Sequence, residues 1–584
     1  MCTVGILLWT VWVQAQPLDE QEAQALREQV DQNEGLLVDL NTASSQELIQ
    51  LPGIDTALAN RIVARRRAHG PFTQANQLLD IEGISDENLE PITPYIWVSA
   101  ERGAPVSLRH RWRATRGTGR ASTLDDLRIA QRTTFVKGGL EATFLTERDP
   151  QEKALTDHRA ASLVIRRERL VIALGSLRLG YGRGLLLSRR RASSLTVGDV
   201  RRVESARLTD HSTTESGRLT GVGAVSRYGP IGLMGALAQG AWDARLVEGA
   251  LIPGGSGSHV SDDQIARRGR LRERFLAAGL TIGGQSTLSA LYTSSAFSDP
   301  AVFGGQQLQQ VKGLSLTANG ERDGQRVFGE IARSIQNRQV GFAWLFGVDL
   351  THDAFRLTAA SRHYGPRYLT LRGTPLTAYT ATTSDESGLF AAWQVRLSRR
   401  TRLEVAVDRH DRRNQTTPAR GNRWLFKAAT KRKRIDLQMT VSSRHEATSR
   451  DTVTGDRYRR QIRFTITRKA STRSRLWLEH IRADRIGDAQ RGLGAGLEWG
   501  YASPSTSLSL WYQYHRVNGA DARIYAYRPD VSAGLPVALN GVGSHTGAKV
   551  SRSFGPLLLA VRYTIRAIQT GIGTDWAAQV ELHR

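Results

Sequence analysis

Residues 492–501 read GLGAGLEWGY, and the alternation in that stretch decides the fold. Leu493, Ala495, Leu497, Trp499 and Tyr501 fall on one face, while Gly494, Gly496, Glu498 and Gly500 fall on the other. A period of two belongs to a β-strand with one apolar and one polar side. The pattern recurs on both sides of this stretch. Leu403, Val405 and Val407 alternate with polar neighbours, as do Ile435, Leu437, Met439 and Val441, then Ile462, Phe464 and Ile466. Leu508, Leu510, Tyr512 and Tyr514 follow, and Leu557, Leu559, Val561, Tyr563 and Ile565 close the series. Turn signals such as Tyr228-Gly-Pro, Asn319-Gly and Phe554-Gly-Pro separate the runs. Half-apolar strands of roughly 8–11 residues, repeated from about residue 100 to the end, predict a mainly β fold: a large antiparallel transmembrane β-barrel of roughly 20–26 strands.

Composition agrees with that reading. The chain has 584 residues, 40% hydrophobic, with 80 Lys+Arg against 55 Asp+Glu. Its one continuously apolar stretch, Val4–Val13, is too short to cross a bilayer as a helix, so a helical membrane protein is excluded. Residues 1–15 instead read as a secretory signal with an Ala15 cleavage site, which predicts export. The single cysteine is Cys2. Disulfide frameworks, thiolate metal sites and cysteine nucleophiles therefore drop out of the mature chain.

Charge divides the molecule. Residues 17–99 carry 14 acidic and 5 basic side chains, a net of −9, and the remaining 75 basic and 41 acidic residues give residues 100–584 a net of +34. Residues 16–36 read as an acidic helical spacer. Residues 37–99 carry a small all-α domain before the barrel. Ser44-x-x-Glu47 is a capping box for a short helix ending at Leu51, and Pro52-Gly53 turns the chain. Asp55 or Thr56 caps a second helix bearing Ala57, Leu58, Ile62 and Val63, which Gly70-Pro71 stops. The pattern repeats with a helix around Ala75–Leu79, a turn at Gly83 and a helix from Ser85 to about Ile92.

These residues resemble the helix-hairpin-helix domain of ComEA-type competence DNA-binding proteins, through LPGI at 51–54, GPF at 70–72 and PYI at 94–96. The resemblance implies a grip on duplex DNA phosphates by hairpin amides, without reading sequence. The residues it implicates are Pro52, Gly53 and Ile54 in the first hairpin and Gly83 and Ile84 in the second, with Arg61, Arg65, Arg66 and Arg67 as supporting cations. The match has departures. Asp55 and Ser85 stand where a second glycine is usual, and Leu58, Asp86 and Glu87 stand at basic positions. A carboxylate at a helix N-terminus competes with phosphate for the same amides. The whole chain, through LGSLRLGYGRGLLLS at 174–188 and IYAYRPDVSAGLPVALNGVG at 524–543, resembles Bacteroidetes-like envelope proteins that fuse such a domain to a large outer-membrane barrel.

Other motifs carry less. Gly180-Tyr-Gly-Arg-Gly184 lacks a following helix and reads as a turn with close backbone contact rather than a nucleotide loop. Asp408 and His410 share a strand face without a third partner, so no metal site is expected. Ser188–Arg191 and Lys431–Arg434 read as rim clusters that meet anionic lipopolysaccharide, line a pore or recruit a polyanion. No catalytic set emerges from the spacing, and neither an enzyme nor a cofactor is expected. The partners implied are duplex DNA or another polyanion, outer-membrane lipid and a periplasmic protein. Two functions remain open: DNA handling in the envelope, with the domain in the periplasm, or a docking module on a structural or transport barrel.

Overall fold

A computed structural model describes residues 38–583, except 42, 44–47, 49–50, 52–53, 55, 73–74, 82–83, 85–95, 98–105, 118–123, 153–155, 189–199, 201–207, 255–256, 258, 285, 304, 353, 379–384, 414–418, 451–452, 470–471, 486, 504, 532–534 and 570. The expected signal segment, the acidic spacer, the Ser44–Glu47 capping box and the helix from Ser85 lie outside the described residues.

The main sheet holds 26 strands among the described residues, and setting aside one short side hairpin, Ala244–Val247 with Ala250–Pro253, leaves 24 that close into a barrel. They run in sequence order from Ser107–Arg116 to Gly571–His583, each antiparallel to the next. The last strand pairs with the first, Trp576 opposite Arg116 and His583 opposite Arg109, so the sheet has no edge. Glu581 bridges this seam by pairing with Arg109 and Arg111 of the first strand. A second hairpin, Ile524–Arg528 with Leu535–Leu539, forms a separate small sheet, and its flanking strands Thr506–Val517 and Gly541–Phe554 pair directly.

Burial is inverted relative to a water-soluble protein. In the strand Leu271–Gly283, Leu271, Glu273, Phe275 and Ala277 are buried while Arg272, Arg274, Leu276 and Ala278 are exposed. Around the barrel the outward positions are large and apolar: Leu288, Leu314, Val327, Phe342, Leu389 and Trp393 are all at least 50% exposed. The inward positions include Glu330, Arg362, Glu386, Asp408, Arg463 and Glu479, each at most 2% exposed. An apolar exterior around a polar interior is the signature of an outer-membrane-type barrel, because hydrocarbon replaces water outside.

The two rims differ. One carries tight turns: Gly138-Gly139, Gly229-Pro230, Lys433-Arg434 and Gly555-Pro556. Asn319-Gly320, expected to turn, lies inside the strand Gln306–Arg322 instead. The turn falls at Asp323-Gly324, where both residues take positive φ, 48° and 77°. Two successive left-handed residues match the twist of a two-residue hairpin, and Asp-Gly supplies them at the lowest cost. Ser107 and His583 sit at this same rim. The opposite rim carries the long connections, 178–217, 243–270, 365–385 and 518–540.

Described segments of three of the long connections, 178–217, 365–385 and 518–540, fold back into the lumen. Leu179, Leu185, Leu186, Leu187 and Leu208 join Tyr364, Tyr368 and Leu376 with wall residues Phe275, Leu291 and Phe328 in one buried apolar cluster. The inward hairpin 524–539 packs Ile524, Ala526 and Leu539 on Trp477 and Ile481 of the wall. A sheet of this many strands leaves a wide bore, and these segments occupy it.

Candidate functional site

The helix-hairpin-helix domain is built on a repeat visible in its backbone. The amide of Leu51 donates to Leu48 O at 3.0 Å, and Ile54 N donates to Leu51 O at 3.2 Å. Thirty residues on, Ile81 N donates to Leu78 O at 3.1 Å and Ile84 N donates to Ile81 O at 3.0 Å. The side chains of these two turns meet in one core with Leu40, Leu58, Ile62, Phe72 and Ile96. The helix between them spans Thr56–His69 and ends at Gly70, whose φ of 81° suits a glycine cap. Val38–Asp39 pairs in parallel with Ile96–Trp97 and ties the domain's two ends together.

The implicated residues separate into groups. Pro52, Gly53 and Gly83 lie outside the described residues. Ile54 and Ile84 are buried, 4% and 8% exposed, and their amides are engaged by the hairpin carbonyls. Arg66 donates from Nη1 to Leu40 O at 2.8 Å and Ala43 O at 3.0 Å, which fastens the segment before the first helix. Arg65 donates to Gly70 O at 3.2 Å and lies 4.8 Å over the Phe72 ring. Asn41 and Phe72 exchange side-chain and backbone hydrogen bonds of 2.9 and 2.7 Å beside it. Arg61 and Arg67 are exposed on the same helix. Arg65 and Arg66 thus work within the fold, and Arg61 and Arg67 face solvent.

Inside the barrel, charge is organised across adjacent strands. Arg362 donates to Glu386 at 2.7 Å and to both Asp408 oxygens at 2.6 and 3.1 Å, and His410 Nδ1 lies 2.8 Å from Asp408. The Asp408–His410 pair therefore belongs to an ion network whose third member is an arginine. Arg463 pairs with Glu479 at 3.3 Å, and Arg528 of the inward hairpin reaches Asp575 at 3.1 Å.

The stretch 180–184 is a turn pressed on the wall. Gly182 has φ 64°, and a Cβ there would lie 2.6 Å from Thr317 Oγ1. Arg183 N donates to Glu330 Oε2 at 2.7 Å, and its guanidinium stands 3.8 Å over the Phe328 ring. Tyr368 donates to Leu185 O at 2.6 Å, and burial raises its pKa well above the usual phenol value, which keeps the hydroxyl a donor. Leu187 bridges to Arg372 in parallel, locking the 178–188 and 365–378 segments to each other. Of the basic clusters, Lys431–Arg434 lies exposed on the short-turn rim. Ser188 binds Arg372 O at 2.8 Å within the lumen, and 189–191 lie outside the described residues.

Sequence reasoning missed one group entirely. Glu152, Asp157, Glu215 and His259 converge from three loops of the long-loop rim. No spacing rule announces a cluster assembled across a hundred residues.

The comparisons with known proteins follow the same division. The helix-hairpin-helix motif family matches residues 34–97. No curated protein matches the chain. The ferric enterobactin receptor PfeA of Pseudomonas aeruginosa is similar at 10% identity and a TM-score of 0.41, covering 84% of this chain and 82% of that one. The PapC pilus usher translocation pore is similar at 11% identity and 0.38, covering 82% and 99%. The unliganded ferric citrate transporter FecA gives 10% and 0.39, covering 84% and 80%. These values transfer no activity, substrate or partner.

Proposed function

We propose that the chain is an outer-membrane barrel that holds a helix-hairpin-helix domain in the periplasm, where it makes weak, sequence-independent contacts with the backbone of duplex DNA. It binds and guides and performs no catalytic step. The observation that carries this reading is a tandem hairpin domain with Arg61 and Arg67 presented to solvent on the helix that leaves its first hairpin. The periplasmic assignment rests on the rims. Barrels of this class keep short turns on the periplasmic side and long loops outside, and the chain joins the barrel at the short-turn rim. Lys431–Arg434 then faces the periplasm, and the long-loop rim meets lipopolysaccharide.

A specific observation favours a second reading, a docking module for a periplasmic protein. The amides of Ile54 and Ile84 and the guanidinium groups of Arg65 and Arg66 already have protein partners, and residues 17–99 carry a net charge of −9. Fluorescence anisotropy of a labelled duplex with the full chain in detergent separates the two. Basic barrel rims attract any polyanion, so the readout is the contrast with Arg61→Glu/Arg67→Glu. DNA handling requires weaker binding and a shallower salt slope in that variant, since phosphate contacts release counterions. Unchanged affinity and slope would leave the docking reading.

A further inference from the structure

The long-loop rim gathers four donor side chains from distant segments. Glu152 and Asp157 come from the connection between Leu140–Arg148 and His158–Arg166, Glu215 from the residues before Arg218–Tyr228, and His259 from those before Leu271–Gly283. One ligand atom of each lies within 4.8 Å of all the others. His259 Nδ1 stands 2.8 Å from Asp157 Oδ2 and 3.2 Å from Glu215 Oε2. Asp157 and His259 are 6% and 3% exposed at their side chains and Glu215 is 11% exposed.

The imidazole decides what these distances mean. Its other nitrogen, Nε2, lies 3.1 Å from Asp243 Oδ2. Asp243 is itself fixed, accepting from Gly269 N at 2.9 Å, while its own amide donates to Ser216 Oγ at 3.0 Å. A carboxylate behind a histidine holds the proton on the near nitrogen and turns the far lone pair toward a metal. The imidazole thus has carboxylate oxygens at contact distance on both nitrogens, and a proton or a metal ion on Nδ1 relieves the repulsion. Arg268 donates to the other Asp157 oxygen at 2.5 Å and is half exposed, while Arg148 donates to the Glu152 backbone carbonyl at 3.0 Å. Four carboxylates, Glu152, Asp157, Glu215 and Asp243, gather at the imidazole, and Arg268 pairs with one of them.

We propose that Glu152, Asp157, Glu215 and His259 bind one divalent first-row transition-metal ion of the zinc class, with Asp243 orienting the imidazole. Bonds of about 2.0–2.2 Å to nitrogen and oxygen place neighbouring donors of a tetrahedral shell about 3.3–3.6 Å apart, and His259 stands 2.8 and 3.2 Å from Asp157 and Glu215, so these two carboxylates move slightly outward to admit the ion. A pair at the 4.8 Å limit closes by roughly 1.2–1.5 Å to complete the shell, a movement that side chains on loops accommodate. Glu152 is preset, its two oxygens accepting from Asp149 N at 2.8 Å and His259 N at 3.0 Å. Gly257, at φ 82°, lets the glycine-rich segment lie against Glu215, where a Cβ would sit 3.2 Å from the Glu215 Cβ. The imidazole favours zinc-class ions over calcium or magnesium, which prefer all-oxygen shells. The bound ion pins three rim loops to one point.

The test uses the full chain refolded in detergent, stripped with a chelator, equilibrated with zinc chloride and desalted, with bound metal read by atomic emission. One zinc per chain is expected, with no displacement by excess calcium. Asp243→Asn, a positioning change, weakens binding about 10–100-fold. Glu215→Gln and His259→Gln weaken it further. Zinc raises the thermal midpoint of the wild type and leaves that of Glu215→Gln where it was. Unheated gel mobility reports barrel folding, and Glu215→Gln, the least buried ligand, serves if His259→Gln fails to fold. Folded wild-type protein without stoichiometric zinc, or zinc retained undiminished by both ligand variants, overturns the site.

Discussion

The helix-hairpin-helix domain and the barrel dispose of the same residue types in opposite ways. In the domain, Leu40, Leu48, Ile62 and Leu78 are fully buried and Arg61 and Arg67 are exposed. In the barrel, Arg362 and Arg463 are among the largest fully buried side chains, while Ile572 is 79% exposed. Water surrounds the first, and hydrocarbon surrounds the second outside a polar bore. The contrast teaches that burial follows the solvent and not the residue. It also relocates the source of specificity. The domain is held by non-directional apolar contact, whereas the barrel interior depends on matched ions, where one missing partner leaves a charge stranded.

That contrast breaks most sharply at Arg362. Replacing Arg362 by Met strands Glu386 and Asp408 and should cost about 3–5 kcal/mol in urea unfolding from lipid vesicles, whereas replacing Arg362, Glu386 and Asp408 together by apolar residues leaves no charge stranded and should cost less. Ile62→Ala should cost the domain about 2–5 kcal/mol through cavity formation. It should leave the unheated gel mobility of the barrel intact, and loss of both together would mean that the two regions unfold as one. Leu314→Arg, at the middle of an outward face, should cost about 2–4 kcal/mol in vesicle refolding. The same change at an exposed position of the domain should be nearly silent. Arg66→Ala is the smallest, about 1.5 kcal/mol, because two backbone carbonyls lose a charged donor. A duplex-affinity loss beyond the accompanying unfolding would return Arg66 to the phosphate-binding set.

Periodicity made the strands legible before any coordinates. Leu493 to Tyr501 reads as a membrane strand because each residue answers to a solvent it touches directly. The strand total of 24 falls within the expected range for the same reason. In the small domain the stop at Gly70 was legible, and so were the apolar positions Leu51, Ile54, Leu58 and Ile62 of its core, while the Ser44–Glu47 cap and the Gly83 turn lie outside the described residues. The misplaced turn shows where local signals stop. Asn319-Gly320 and Asp323-Gly324 are both good hairpin pairs, and the strand's pairing with Gln325–Gln336 chooses between them. Cross-strand relations were not legible. Arg362 meets Asp408 because two strand pairings place them side by side, and no spacing within either strand encodes that register. The loop cluster is further still from view. Glu152 and His259 meet because strand closure fixes the ends of three loops, so their encounter is a property of the finished barrel.

The seam between Ser107–Arg116 and Gly571–His583 carries a consequence for biogenesis. The first strand exposes an open row of amides and carbonyls until the last one arrives, and everything synthesised between them must wait. Closure joins residues separated by almost the entire chain, which makes folding slow and leaves its intermediates adhesive. A prematurely ended product cannot form the Glu581 pairs with Arg109 and Arg111. A chain that lacks the strand Gly571–His583 keeps an unpaired sheet edge, and one that has it conceals that edge.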